Sequence, residues 1–291
     1  MECKLLSICL TSLLLKTQIN EIRAQHYYND LYTKDRVEMK QSNYKALRVK
    51  KINETAILPN GERQPNVLQW TSVSPKADTS IQYRSVEGVT SKTISIYHSQ
   101  TGKLIRQLEM EEGMRNEKIY SYHADGMINR IESVFIDSLM DFKDREIHVW
   151  SFDQNDLPKS MWRIVEQFDG SIDSTFVAFI ADGEGRVTEE TTYRKGKKTG
   201  FYYYYYNDRG LLIDVVKYNE KWKRLLPDLM MEYDLAGKNI EKRQLIGNRD
   251  ISYLIWRYEY EKEGLLKEEA LYNSQKQRSG SIIFNYEFYQ K

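Results

Sequence analysis

Trp256-Arg257-Tyr258-Glu259-Tyr260-Glu261-Lys262-Glu263-Gly264-Leu265-Leu266 decides the fold. Its first five residues alternate aromatic and charged, which is the period of a half-buried strand. Glu261–Gly264 is a short polar turn, and its closing glycine takes a positive φ without steric cost, as hairpin turns of this length require. Leu265–Tyr272 then runs back as a second strand, Asn273–Gly280 is a polar loop, and Ser281–Tyr289 is a third strand.

The same grammar recurs upstream at Tyr122–Gly126, Tyr206–Gly210 and Tyr233–Gly237, with looser copies ending at Gly102 and Gly185 and one at Phe152–Asp156 that lacks the glycine. The turn-end positions 102, 126, 156, 185, 210, 237 and 264 are spaced by 24, 30, 29, 25, 27 and 27 residues. A period in this range marks a repeat architecture. About 27 residues hold two strands of ordinary length with their turns. Each unit is therefore one β-hairpin with a connector.

Columns align across the units. Aromatic or apolar pairs end the strand before each turn: Tyr120/Tyr122, Trp150/Phe152, Val177/Phe179, Tyr204/Tyr206, Met231/Tyr233 and Tyr258/Tyr260. Eight residues past the turn end, the chain reads Met110, Val134, Ile164, Tyr193, Tyr218, Leu245 and Tyr272. In an antiparallel meander such residues stack in ladders on a shared face and hold the register, because a one-residue slip turns them outward. The expected fold is all-β: an antiparallel meander of repeated β-hairpins forming one long twisted or curled sheet. An outer-membrane barrel is rejected, because a lipid-facing side must stay apolar on every strand. Lys267 and Glu269 charge one face of the Leu265–Tyr272 strand and Glu268 the other, and Ile240–Ile246 is likewise charged on both faces.

Residues 1–25 read as an export signal. Lys4 precedes the apolar run Leu5–Leu15, and Ile22-Arg23-Ala24 suits cleavage after Ala24. Eleven apolar residues are too few for a permanent span. Both cysteines, Cys3 and Cys9, lie in this segment, so the processed chain has no thiol for a disulfide, a metal or catalysis. Its loss also leaves 40 basic and 40 acidic residues, a neutral balance with no electrostatic footprint for nucleic acid or an anionic membrane. Residues 26–80 stand outside the repeat as an irregular leader with short strands and a weak helix signal at Tyr32–Tyr44. Residues 81–291 form the repeat domain. Export without cysteine suits a bacterial periplasm or cell surface.

Met231-Glu232-Tyr233-Asp234-Leu235-Ala236-Gly237 and the Tyr258–Leu266 stretch resemble the YD repeat of RHS-type bacterial surface proteins. Glu189–Gly210, with Tyr193-Arg194-Lys195-Gly196-Lys197-Lys198-Thr199-Gly200-Phe201-Tyr202, resembles the MORN-repeat variant of small bacterial envelope proteins. The resemblance implies a long antiparallel sheet that curls into a shell or trough, a role in surface interaction, and no catalytic residue to carry over.

No nucleophile elbow, HExxH, phosphate loop or EF-hand pattern is present. The four histidines are scattered; His98 and His123 recur at one turn position, but two ligands make a poor zinc site. Asp137, Asp141, Asp144, Glu189 and Glu190 read as solvated strand and turn residues, although a glycosidase carboxylate pair among them is a third reading. Within Tyr202–Tyr206, Tyr203 and Tyr205 share one side, opposite Tyr202, Tyr204 and Tyr206. The expectation is a non-enzymatic exported repeat protein with no cofactor and no metal, not membrane-spanning once processed, meeting a protein or glycan partner in the envelope. Tyr203, Tyr205, Trp222 and Trp256 are its candidate ligand-binding residues. A glycan binder places exposed rings side by side, a scaffold offers a broad face or a free edge strand, and a hydrolase hides two carboxyls in a pocket.

Overall fold

A computed structural model of the chain describes residues 26–219, 222–246 and 251–290. The expected export signal lies outside these residues, as do Cys3 and Cys9. Among the described residues, helix α1 (Asn29–Ala46) precedes the strands. These begin with β1 (Val49–Ile57), β2 (Val67–Val73), β3 (Thr79–Val86), β4 (Val89–Tyr97), β5 (Leu104–Glu111) and β6 (Met114–Tyr122). They continue as β7 (Ile128–Asp137), β8 (Phe142–Phe152), β9 (Pro158–Glu166), β10 (Ile172–Ala181), β11 (Val187–Arg194) and β12 (Lys197–Tyr206). The last six are β13 (Leu212–Asn219), β14 (Arg224–Tyr233), β15 (Asn239–Ile246), β16 (Ser252–Tyr260), β17 (Leu266–Tyr272) and β18 (Arg278–Phe288).

Consecutive strands pair antiparallel, and β18 also pairs with β1. The amide of Tyr289 donates to Arg48 O at 2.8 Å along this last seam. The expected meander is therefore present, but the open curled sheet is corrected to one that closes into a barrel. Charged strand faces are unsuited to lipid, but closure of a sheet does not require lipid. Cross-strand ion pairs absorb those charges: Lys267 meets Glu259, Glu268 meets Arg278, and Glu241 meets Arg257.

The leader is also corrected. Residues 26–80 supply α1, β1, β2 and the start of β3 to the same sheet. Proline and polar composition hid these elements, because β1 (Val49-Lys50-Lys51-Ile52-Asn53-Glu54-Thr55-Ala56-Ile57) alternates without aromatics.

The repeat has a concrete basis in its turns. Asp153 Oδ1 accepts the amides of Asn155 and Leu157, Asp182 those of Glu184 and Arg186, and Asn207 those of Arg209 and Leu211. The short polar side chain thus satisfies amides inside the turn. The turn-ending residue then needs a positive φ, which is 90° at Gly126, 83° at Gly185, 73° at Gly210 and 88° at Gly264. Asp156, the copy without glycine, still sits at φ 62°. All these turns follow even-numbered strands, so within each unit they lie at the same end of the meander. Neighbouring turns touch along it: Lys103 Nζ donates to Gly126 O, and Arg209 donates to Asp234 O and Leu235 O at 2.8 Å each.

The recurring tyrosine also has a defined partner. Tyr122 donates to Leu104 O (2.6 Å), Tyr233 to Leu212 O (2.8 Å) and Tyr260 to Asn239 O (2.8 Å), in each case two residues past the preceding turn glycine. The hydroxyl therefore stitches each hairpin to the one before.

Contacts divide the chain into two compact units. One comprises Tyr27–Glu54, Asn66–Tyr203 and the residues from Asn285 onward, and its core includes Ile52, Leu104, Trp150, Met161 and Val177. The other comprises Thr55–Pro65 and Tyr204–Phe284 with His26, and its core includes Tyr204, Val215, Met231, Trp256 and Leu271.

Candidate binding face

In the first unit the sheet has two chemically distinct faces. Helix α1 lies on one. It is polar around most of its circumference, and only Leu31, Gln41 and Tyr44 are buried. Such a helix is held by polar contacts more than by an apolar stripe. The carboxylate of buried Glu190 accepts the amides of Tyr27 and Tyr28, both at 2.9 Å, where a helix entrance leaves donors without intrahelical partners. Asp30, in the first turn, meets His148 Nδ1 at 2.5 Å. The other ring nitrogen of His148 meets Glu146 at 2.7 Å, and Arg163 donates to Glu146 at 2.5 Å. Further along, Glu38 accepts from the amide of Leu104 (2.8 Å) and from the Tyr122 hydroxyl (3.1 Å), and Gln41 donates to Ala77 O (2.9 Å).

Burial works against a charged His148, but the carboxylates of Asp30 and Glu146 outweigh it and raise the imidazole to about 9. Burial likewise opposes ionisation of Glu146, and His148 and Arg163 overcome it, holding the carboxyl down at about 2. An imidazolium between two carboxylates is thus the charged state at neutral pH. It clamps α1 to β8, with the Tyr27 ring edge-on at 5.6 Å.

The opposite face is open. Pairing places Trp162, Phe176 and Tyr193 in one cross-strand row on β9, β10 and β11, with ring centroids 5.0 and 6.2 Å apart. Trp162 is 47% exposed. The next row contains only small side chains: Ser151, Ser160, Ala178 and Thr191 on β8–β11. The Ser151 and Ser160 hydroxyls are 2.6 Å apart. Beyond it, Ile180, Glu189 and Tyr203 form a third row on β10, β11 and β12. Successive same-face rows lie about 6.7 Å apart along a strand and adjacent strands about 4.8 Å apart. The small row is therefore a trough across four strands, with walls centred about 13 Å apart. This arrangement also corrects the expected ladder. Ile164 and Tyr193 share this open face, whereas Trp150 and Val177 occupy the α1 face, because their registers differ in parity.

The expected ligand-binding residues are not one cluster. Tyr203 is half-buried on the third row, with the Phe201 ring edge-on at 5.5 Å. Tyr205 is 49% exposed farther along β12. Trp222 is 40% exposed in the turn between β13 and β14, at the end of β13 remote from the Tyr206–Gly210 turn. Trp256 is corrected outright as a ligand contact: it is 1% exposed, packed on Leu271 and capped by Lys242 Nζ at 4.5 Å from its ring. Trp256 lies on the same side of its strand as the aligned pair Tyr258/Tyr260, two residues before it, and that alternation was the signal against exposure. Trp162 and Phe176 were missed because they fall between the aligned columns.

Of the acidic candidates, Asp137 accepts the amides of Leu139 and Met140, and Glu190 those of the helix entrance. His98 accepts from Thr101 within its own turn. Among the described residues, no group of three or more His, Cys, Asp or Glu is placed to hold a metal ion, and no helix is long and apolar enough to cross a membrane.

No family model matches the chain, and no curated protein matches it. Among solved structures it is similar to a porin-like protein from Bacteroides uniformis ATCC 8492, at 9% identity and TM-score 0.43, over 83% of this chain and 97% of that one. It is also similar to a porin-like protein from Bacteroides vulgatus ATCC 8482, at 13% identity and TM-score 0.31, over 82% and 98% of the two chains. A third likeness, to TcdB2-TccC3-TEV, has 11% identity and TM-score 0.30 and covers 80% of this chain but 19% of that one. At such identities and scores no function passes to this chain, whose reading stands on its own geometry.

Proposed function

We propose that this chain is an exported, non-enzymatic binding protein of the bacterial envelope that works from the open face of its repeat sheet. The observation that carries the reading is the contrast between the two faces of the first unit. One is occupied by α1, and the other leaves Trp162, Ile172 and Ile180 exposed. With β18 paired to β1, the sheet has no free edge among the described residues, which argues against recognition by strand addition.

Both faces carry charge, which favours a barrel standing in water. Arg130, Glu132, Arg145 and Glu166 lie on the open face, and Glu146, His148 and Arg163 on the other. In the second unit, Glu241 bridges Arg243 and Arg257 on one face, while Lys242 covers Trp256 on the other. A cationic side chain at a bilayer midplane costs about 2–4 kcal/mol, so neither face suits lipid. The Tyr–Asx–Gly hairpin supports reading the repeat as YD-type.

Fractionation of cells expressing the full chain tests this. The expected outcome is a processed protein in the periplasmic or surface fraction, released without detergent. Recovery only in detergent extracts, or as unprocessed chain in the cytosol, overturns the reading.

A further inference from the structure

We propose that the trough floored by Ser151, Ser160, Ala178 and Thr191 binds a single strand of uncharged, unbranched polysaccharide. This names the ligand class of the open face and rests on the binding-protein reading above.

Three observations select that ligand. The first is shape. A row of small side chains between two rows of large ones makes a channel perpendicular to the strands, about 14 Å long across β8–β11. The second is chemistry. One wall is Trp162, Phe176 and Tyr193, whose π faces carry negative charge density that attracts the C–H groups of a pyranose ring. The floor presents the hydroxyls of Ser151, Ser160 and Thr191, and the far wall adds the Glu189 carboxylate and the Tyr203 phenol. These groups donate to and accept from sugar hydroxyls. The third is charge. Arg130 and Lys198 end the aromatic row and Glu189 stands on the far wall, but Arg130 is paired with Glu132 at 2.8 Å and Lys198 lies over the Phe201 ring at 4.5 Å. A polyanion would find no field here. An extended peptide would find neither a sheet edge to join nor a deep apolar pocket for a side chain.

Isothermal titration with three soluble hexasaccharides tests the proposal: β-1,4-linked glucose, β-1,4-linked N-acetylglucosamine and α-1,6-linked mannose, each against the processed full chain. Wild type is expected to bind at least one. Trp162→Ala and Tyr193→Ala should each weaken that affinity by at least about tenfold. Ser160→Leu, which fills the trough without removing a ring, should do the same. Leu235→Ala, at a fully exposed turn residue outside the trough, should leave affinity unchanged. Circular dichroism keeps the comparison to variants that fold as wild type; the two wall variants stand if Ser160→Leu does not. The proposal is overturned if wild type binds none of the three, if binding survives all the trough variants, or if heparin binds instead. Such a result from a protein correctly localised to the envelope sinks the ligand class alone. Mislocalisation sinks the underlying reading.

Discussion

At the residue scale, the most consequential group is His148. Its imidazolium joins Asp30 of α1 to Glu146 and, through Glu146, to Arg163. Its folded value, about 9, is above the ordinary histidine value of 6.5. A raised value means that the stabilisation is complete below pH about 6.5 and is lost as pH rises through about 9. The shift sets an upper bound of about 3 kcal/mol on that contribution. Glu146 works in the other direction. Held down at about 2, it contributes above its ordinary value of 4.5 and loses that contribution as the medium acidifies further. Thermal melts of wild type should therefore decline between pH 6.5 and 9.5, while His148→Gln melts lower at pH 6.5 and stays nearly flat across the interval. Parallel curves for the two proteins would show that the imidazolium does not hold the helix. Glu190 fastens the other end of the same segment, its carboxylate accepting the amides of Tyr27 and Tyr28.

At the scale of the element, the hairpin is the unit of design. An Asx side chain organises the turn, a left-handed residue closes it, and a tyrosine hydroxyl ties the hairpin to its predecessor, a bond worth about 1 kcal/mol. The turn between β8 and β9 breaks one of these rules, because Asp156 holds φ 62° where its counterparts are glycine. Asp156→Gly removes the Cβ strain of the left-handed conformation. It also loosens the unfolded chain, so the expected net gain is modest, about 0.5–1 kcal/mol, read as a rise in the denaturant midpoint. A fall in the midpoint would mean that the Asp156 side chain makes a contribution the turn geometry does not show. Much of this level was legible beforehand. Tyr258–Gly264 shows its alternation and turn residues directly, and the turn positions at Gly126, Gly185, Gly210, Gly237 and Gly264 all occur as read. Helix α1 was nearly silent because its stability comes from contacts with distant strands, and a polar helix carries no apolar stripe to detect.

At the scale of the whole molecule, closure is the decisive event. β18 lies between β17 and β1, so its removal exposes two strand edges at once. A chain truncated after Tyr272 is expected to aggregate or unfold, because unpaired edges seek partners and β1 loses Tyr289 as a donor. Size-exclusion chromatography reads the outcome. A monodisperse truncated protein with a wild-type melt would show that the β18 seam contributes little.

The amino-acid order alone determined the hairpin, its turn chemistry and its repeat, since these depend on neighbours within about thirty residues. It also aligned core positions such as Trp150 and Val177 in one column, though it offered the buried Trp256 as a ligand contact. Tertiary structure alone decided that the first and last strands meet, that a polar helix covers one face, and that Trp162, Phe176 and Tyr193 align beside a row of serines. Those outcomes depend on register between strands and on contacts up to 234 residues apart, such as Asn53 with Glu287. Local periodicity carries no information about them.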